Sequence, residues 1–110
     1  MADRSPLGEF EQLVLLAILR LAPEAHAPAV RGAIETAGRR SVTRGALYAT
    51  LDRLETKGFL TWCAEAGPAA RAGVPRRIFT LTPAGLRALR RSYQAVSALA
   101  EGLERQLGST

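Results

Sequence analysis

The sequence predicts a mainly α-helical domain that carries one small β-hairpin. Four segments of the chain have apolar residues at helical spacing. Between the third and the fourth of them, two short runs of β-branched and aromatic residues flank a stretch rich in glycine, proline and alanine. The length of 110 residues fits one compact unit, so the helices and the hairpin are expected to share one core.

The first two helices are predicted by apolar spacing and by the residues at their ends. The segment from Gly8 to Leu21 has a wide apolar face, and acidic residues in its first turn complement the helix dipole. A connector with two prolines follows, and Pro28 suits the first turn of a second helix that runs to about Ala37. Gly38 is expected to end this helix, since glycine is common immediately after one.

The third helix is predicted to begin after Thr43 and to end at Lys57, which Gly58 follows. Ser41 and Thr43 are both suitable N-caps, and Thr43 is preferred. The stripe that should face the core comprises Leu47, Leu51 and Leu54. At about 100° per residue, the residues that point away from it are Gly45, Ala49, Asp52, Arg53 and Thr56, with Arg44 and Tyr48 on one flank.

The hairpin is predicted from Phe59 to Ala64 and from Arg76 to Leu81, with residues 67–75 as the loop between the two strands. A hairpin that follows three helices has the place of a wing. Trp62 is interpreted as a core residue of its strand, with the wall of an effector pocket as the alternative. Cys63 is interpreted as a small buried hydrophobe rather than a redox sensor.

The last helix is predicted to have Thr82 as its N-cap and Pro83 at its first position, and to extend for roughly twenty-five residues, about 37 Å. Its apolar stripe resembles a coiled-coil seam and comprises Leu86, Leu89, Tyr93, Val96, Leu99 or Ala100, Leu103 and Leu107. This stripe is longer than so small a core requires, so a second copy of the chain is the expected partner. We therefore predict a winged helix-turn-helix domain over 1–82 and a C-terminal dimerisation helix over 83–110.

Positive charge is concentrated in the middle of the chain. The formal net charge is +5 and the sequence pI is about 10.6. Residues 39–91 contain eleven Lys/Arg and three Asp/Glu, a net charge of +8, whereas the rest of the chain has a net charge of −3. Because the third helix and the wing fall in this segment, the sequence predicts double-stranded DNA as the partner.

The residues that contact DNA are expected on the first half of the third helix and on the wing. Small residues would let the helix lie close to base edges, while arginine and hydroxyl groups suit bases and phosphates. The candidates at the helix are Ser41, Thr43, Arg44, Gly45, Tyr48 and Ala49, and those on the wing are Arg71, Arg76 and Arg77. The alternatives are a solvated face on a structural helix, and arginines that only keep the hairpin soluble.

Other classes of function lack a signature in the sequence. His26 has no partner for a catalytic or metal site and is interpreted as an ordinary surface residue. The single cysteine allows no intramolecular disulfide, and no Cys/His set suggests a metal or cofactor. We find no enzyme motif, signal-peptide pattern or apolar run of membrane-spanning length, so a cytoplasmic protein that is not an enzyme is expected.

Three blocks of the sequence resemble the PadR family of bacterial transcriptional regulators. Leu7 to Leu19 resembles the first helix of the family, Thr43 to Leu60 its recognition helix, and Pro75 to Gly85 the end of its wing and the start of its dimerisation helix. The single C-terminal helix resembles the compact branch of the family. Ala27-Pro28 stands where the family usually has Gly-Tyr, and residues 72–75 depart from its Gly-Gly-Arg-Pro-like wing. The resemblance implies a homodimeric repressor that binds a palindromic operator through the candidates named above.

Two alternatives stay open at this point. A winged helix can serve as a protein-interaction module without DNA binding, although that function favours a neutral or acidic third helix and wing. A small-molecule effector, unidentified from the sequence, could bind between the long helices or beside Trp62 and release the DNA.

Overall fold

The computed structural model describes residues 7–65 and 76–108, and it confirms the mainly α class with one antiparallel hairpin. Three helices precede the hairpin and two follow it. In chain order the elements are α1 (Glu9–Leu21), α2 (Ala27–Ala37), α3 (Arg44–Thr56), β1 (Leu60–Ala64), β2 (Arg77–Leu81), α4 (Pro83–Ala100) and α5 (Glu104–Leu107).

One hydrophobic core joins the first three helices to the hairpin and to the start of α4. The stripe predicted for α3 is buried in it, as are the apolar side chains on one side of α1. The largest fully buried side chains are Val14, Leu15, Ile18, Val30, Leu47, Leu51, Leu54 and Phe79. The core therefore fixes the orientation of α3 from α1 on one side and from the hairpin on the other.

The connector before α2 is more ordered than its sequence indicates. The Ala29 N–H donates to His26 Nδ1 over 3.2 Å, so His26 is the N-cap of α2 and is half-buried. The interpretation of His26 as an ordinary surface residue is therefore wrong. The same stretch also contacts β2, because the Phe79 N–H donates to the Ala25 carbonyl at 2.9 Å and His26 forms a bridge with Ile78. These contacts tie the α1–α2 connector to the hairpin.

The two strands pair from Leu60 opposite Leu81 to Ala64 opposite Arg77. In β1 only Leu60 is buried. Trp62 keeps 40% of its surface exposed and Cys63 is exposed, so the interpretation of both as buried residues is wrong. The physical reason is position: after its first residue β1 runs beyond the core, which leaves neither face of the strand covered.

The start of α4 agrees with the prediction and its end does not. Thr82 is the N-cap and accepts a hydrogen bond of 3.0 Å from the Gly85 N–H, and Pro83 is the first residue. The helix has 18 residues, or about 27 Å. Gly102, with a φ of +85°, breaks the predicted run of roughly twenty-five residues. Leu103 and Leu107 therefore lie beyond α4, in the turn and the short α5 that follow.

Candidate nucleic-acid interface

The first half of α3 forms a shallow exposed surface. Thr43 is the N-cap, and its Oγ1 accepts a hydrogen bond of 3.1 Å from the Ala46 N–H, as the sequence predicts. Gly45 and Ala49 are exposed, and a Cβ built on Gly45 would meet no atom within 4 Å. A surface without protruding side chains at its centre can lie close to another flat or convex molecule.

Arg44 and Tyr48 form one edge of that surface. The guanidinium carbon of Arg44 lies 5.9 Å from the centroid of the Tyr48 ring, which is a cation–π contact. Tyr48 is half-buried and packs against the core, so its ring is fixed while Arg44 is exposed. Ser41 and Thr43 are exposed at the start of the same helix. The structure thus brings together all the helix candidates predicted from the sequence, on and just before the first half of α3.

A buried carboxylate of α1 binds the second half of α3 through hydrogen bonds. Glu11 is only 5% exposed, and its Oε2 accepts hydrogen bonds of 3.1 Å each from Arg53 Nε and Lys57 Nζ. Its Oε1 accepts a third, of 2.9 Å, from the Gly8 N–H at the start of α1. Burial raises the pKa of Glu11, but these three hydrogen bonds outweigh it and hold the pKa below 4.5.

The turn between α2 and α3 has a second link to α1. Arg40 Nη1 lies 3.2 Å from Glu9 Oε1, and its guanidinium carbon lies 5.3 Å from the centre of the Phe10 ring. Arg39 beside it has a φ of +57°, the left-handed conformation that non-glycine residues seldom adopt. The basic pair before α3 therefore shapes the turn that sets where α3 begins.

The wing arginines have partners within the hairpin. Arg76 forms a two-pronged ion pair with Glu65, with Nε–Oε1 at 3.1 Å and Nη2–Oε2 at 3.2 Å. The guanidinium carbon of Arg77 lies 5.1 Å from the ring centre of Trp62 and 5.6 Å from that of Phe79. Arg71 lies outside the residues that the structure describes. The sequence could not show these contacts, because they depend on the register that places the residues opposite one another.

Trp62 also connects the wing to α3. Its indole N–H donates to Glu55 Oε2 over 3.1 Å. The side chain thus contacts α3 on one side and Arg77 of β2 on the other. Trp62 therefore links the hairpin to α3 and is not part of the hydrophobic core.

The arrangement of these elements is that of a winged helix, in which three helices precede a hairpin and the third helix is exposed beside it. A model of the transcriptional regulator PadR-like family matches residues 15–91 of the 110-residue chain. This chain belongs to the PadR-like family. It is therefore a DNA-binding transcriptional regulator.

Solved structures of other PadR proteins share the fold of this PadR-like chain. A PadR family transcriptional regulator from Eggerthella lenta is 26% identical over 93% of this chain and 88% of its own, with a TM-score of 0.65. A PadR-like transcription factor from Bacteroides fragilis is 24% identical over 87% of each chain, with a TM-score of 0.68. A PadR-like regulator from Bacillus cereus is 19% identical over 92% and 93%, with a TM-score of 0.71. No curated protein matches the chain.

Residues 7–65 and 76–108 of this PadR-like chain contain neither a membrane-spanning helix nor a cluster of metal-ligating side chains. None of the helices there combines the length and the apolar character needed to cross a membrane. The same residues hold no group of three or more His, Cys, Asp or Glu side chains arranged to hold a metal ion.

Proposed function

We propose that this PadR-like chain is a cytoplasmic repressor that binds a palindromic operator as a homodimer, with the first half of α3 in the major groove of each half-site. The observation that carries the proposal is the shallow exposed surface on that half of α3. Gly45 and Ala49 leave room for base edges, and Arg44 can reach either a guanine or a backbone phosphate. Ser41, Thr43 and the Tyr48 hydroxyl suit flanking phosphates.

The charges along α3 support DNA contact by its N-terminal half. Asp52 is exposed in the second half and forms no ion pair with any residue that the structure describes. A carboxylate there would repel phosphates. Arg53 and Lys57, which could offset it, are held by Glu11. The second half of α3 is therefore proposed to stay outside the groove.

The wing is proposed to add phosphate contacts beside the groove. Arg76 uses only Nε and Nη2 on Glu65, so the other donors of its guanidinium group remain available. Arg77 is proposed to contact DNA at the rim of the hairpin while it stacks on Trp62. Arg71 stays a prediction from the sequence.

A gel-shift experiment on the promoter region of the chain's own gene tests the proposed function. We expect a retarded complex that weakens as the salt concentration rises, because phosphate contacts release counterions. The two half-sites should lie about 34 Å apart, one turn of the duplex, and a footprint would measure this spacing. Absence of salt-sensitive binding to any tested duplex would refute the DNA-binding part of the proposal.

Replacing Arg44 with alanine should raise the Kd for the operator by about tenfold or more, because it removes a base or phosphate contact worth about 1–3 kcal/mol. Fluorescence anisotropy with a labelled duplex measures this change. The matched control is Arg20→Ala, which removes an exposed arginine at the end of α1, away from α3 and the wing. Equal Kd values for the two variants would remove Arg44 from the proposed contacts.

The homodimer is supported by the apolar face of α4. In the first half of the helix this face is covered by the core, and Ala88 and Leu89 are buried. At about 100° per residue, Val96 and Leu99 continue the same face one to three turns later, yet they are 58% and 81% exposed. Tyr93 beside them is 61% exposed. A second copy of the chain, with the same uncovered face, is the proposed cover.

Replacing Leu99 with glutamate should raise the dimer dissociation constant by about a hundredfold, because burial of an unpaired carboxylate costs several kcal/mol. Sedimentation across a range of protein concentrations measures that constant. Gln94→Glu is the matched control: it adds the same charge to the same helix, about 140° away on the exposed polar side. If both variants sediment as the unmodified chain does, Leu99 has no place in the proposed dimer interface.

A further inference from the structure

A groove of about 470 Å³ runs between α2 and the first half of α3. Its walls are apolar at Pro28 and Leu47 and polar at Arg31, Arg44 and Tyr48. Two of these residues, Arg44 and Tyr48, also form the edge of the proposed DNA-reading surface. The groove therefore opens where a bound duplex would present its backbone.

Arg31 has an unsatisfied hydrogen-bond donor in this groove. Its Nε atom is buried and has no hydrogen-bond partner among the described residues. Arg31 forms an ion pair with Glu35 Oε2 at 3.6 Å, a distance too long for a hydrogen bond, and that oxygen accepts a hydrogen bond of 3.0 Å from the Val42 N–H. The Arg31 side chain as a whole is 40% exposed, so the other donors of its guanidinium group can reach an acceptor from outside the chain.

Several other basic side chains near α3 are bound more closely by carboxylates than Arg31 and Arg44 are. Four of them donate to a carboxylate within 3.2 Å: Arg40 to Glu9, Arg53 and Lys57 to Glu11, and Arg76 to Glu65. Arg31 and Arg44 donate no hydrogen bond to any residue that the structure describes. Arg39 and Arg77 also donate none among these residues, but only Arg31 and Arg44 of this set line the α2–α3 groove.

We propose that the α2–α3 groove is a phosphate-binding site in which Arg31 and Arg44 hold one phosphate oxyanion. The planar guanidinium group offers parallel donors that match two phosphate oxygens, and the two positive charges exceed the single negative charge of Glu35, which also lines the groove. The expected source of the phosphate is the backbone of the bound duplex, and this part of the inference rests on the proposed function. A free phosphate compound presents the same chemistry and is the other source to be tested.

The first arm of the test measures duplex affinity by fluorescence anisotropy over a range of salt concentrations. Arg31→Ala should weaken binding about fivefold for every duplex sequence and lower the slope of log Kd against log salt by about 0.9, the loss of one phosphate contact. Glu35→Gln should strengthen binding several-fold, because it removes the competing charge but keeps an oxygen to accept the Val42 N–H. Arg31→Lys should restore only part of the affinity, and Arg20→Ala should leave the slope unchanged.

The second arm uses the protein without DNA and titrates inorganic phosphate against chloride at constant ionic strength. The amide NMR signals of Arg31 and Gly32 report binding. Saturable shifts that Arg31→Ala abolishes, together with unchanged duplex affinity, support the site with a free phosphate as its ligand. The predicted changes in duplex affinity and slope support the DNA backbone as the source.

Unchanged duplex affinity in Arg31→Ala, combined with no saturable phosphate shift in the unmodified chain, overturns the site. Failure of the unmodified chain to bind any duplex refutes the proposed function instead. In that case the phosphate titration alone shows whether the groove binds phosphate. Failure of the proposed function and failure of the phosphate site are therefore distinguishable.

Discussion

Replacing Gly85 with alanine should destabilise the domain by about 3 kcal/mol, at the upper end of the usual cost of overpacking. A Cβ at this position would lie 2.9 Å from the carbonyl carbon of Phe59 and closer still to its oxygen. The obstacle is backbone rather than a flexible side chain. The same Phe59 carbonyl accepts a hydrogen bond of 3.0 Å from the Thr82 N–H, and the Thr82 hydroxyl donates to Gly58. Neither side can move without breaking the start of α4.

Urea denaturation monitored by circular dichroism measures this loss of unfolding free energy, and thermal unfolding measures the accompanying change in Tm. At about 4 °C per kcal/mol, the expected fall in Tm is about 12 °C. Gly32→Ala is the matched control, because a Cβ on this exposed residue of α2 meets no atom within 4 Å. It should stabilise the chain by about 0.5–1 kcal/mol through the better helix propensity of alanine. Equal stabilities of the two variants would contradict the close approach of α4 to Phe59.

Replacing Glu11 with glutamine should cost about 2 kcal/mol near neutral pH, since hydrogen bonds to charged groups contribute about 1.5–3 kcal/mol and the partner Arg53 is half-exposed. The effect should depend on pH. The hydrogen bonds hold the pKa of Glu11 in the folded chain below its usual range, so the carboxylate stabilises the fold at pH values above the ordinary pKa of glutamate. That stabilisation is lost as the pH falls through the lowered pKa.

The difference in the free energy of unfolding between the unmodified chain and Glu11→Gln isolates this contribution from the other carboxylates. We expect the difference to be constant between about pH 5.5 and 7 and to shrink below about pH 4.5. Glu24→Gln serves as the control, because Glu24 is exposed and forms no ion pair with a described residue. A difference that did not change with pH would show that Glu11 acts by packing alone.

Local signals in the sequence predict most of the secondary structure. Thr43 and Thr82 cap their helices as their positions before an apolar run indicate, and Pro83 follows in the first turn. Gly102 is a local signal for the end of α4, whereas the heptad-like spacing of the leucines beyond it predicts a longer helix. Periodicity shows which residues could share a helix, whereas one glycine in a left-handed conformation decides where the helix ends.

Contacts between distant segments explain what the sequence did not predict. Glu11 and its partner Arg53 are 42 residues apart, and only the packing of α1 on α3 brings them together. The exposure of Trp62 follows from where β1 leaves the core, which the residues of the strand do not indicate. Arg31 lies outside the basic segment 39–91, and only the fold places it beside the first half of α3.

The contacts of Trp62 give the molecule a built-in optical probe. It is the only tryptophan in the chain, its indole N–H donates to α3, and a cation from β2 lies over its ring. Indole emission responds to both kinds of neighbour, so its wavelength and intensity should change when the hairpin moves relative to the helix. Unlabelled protein mixed with a duplex in a stopped-flow fluorimeter would follow that motion in real time, with no dye attached to either partner.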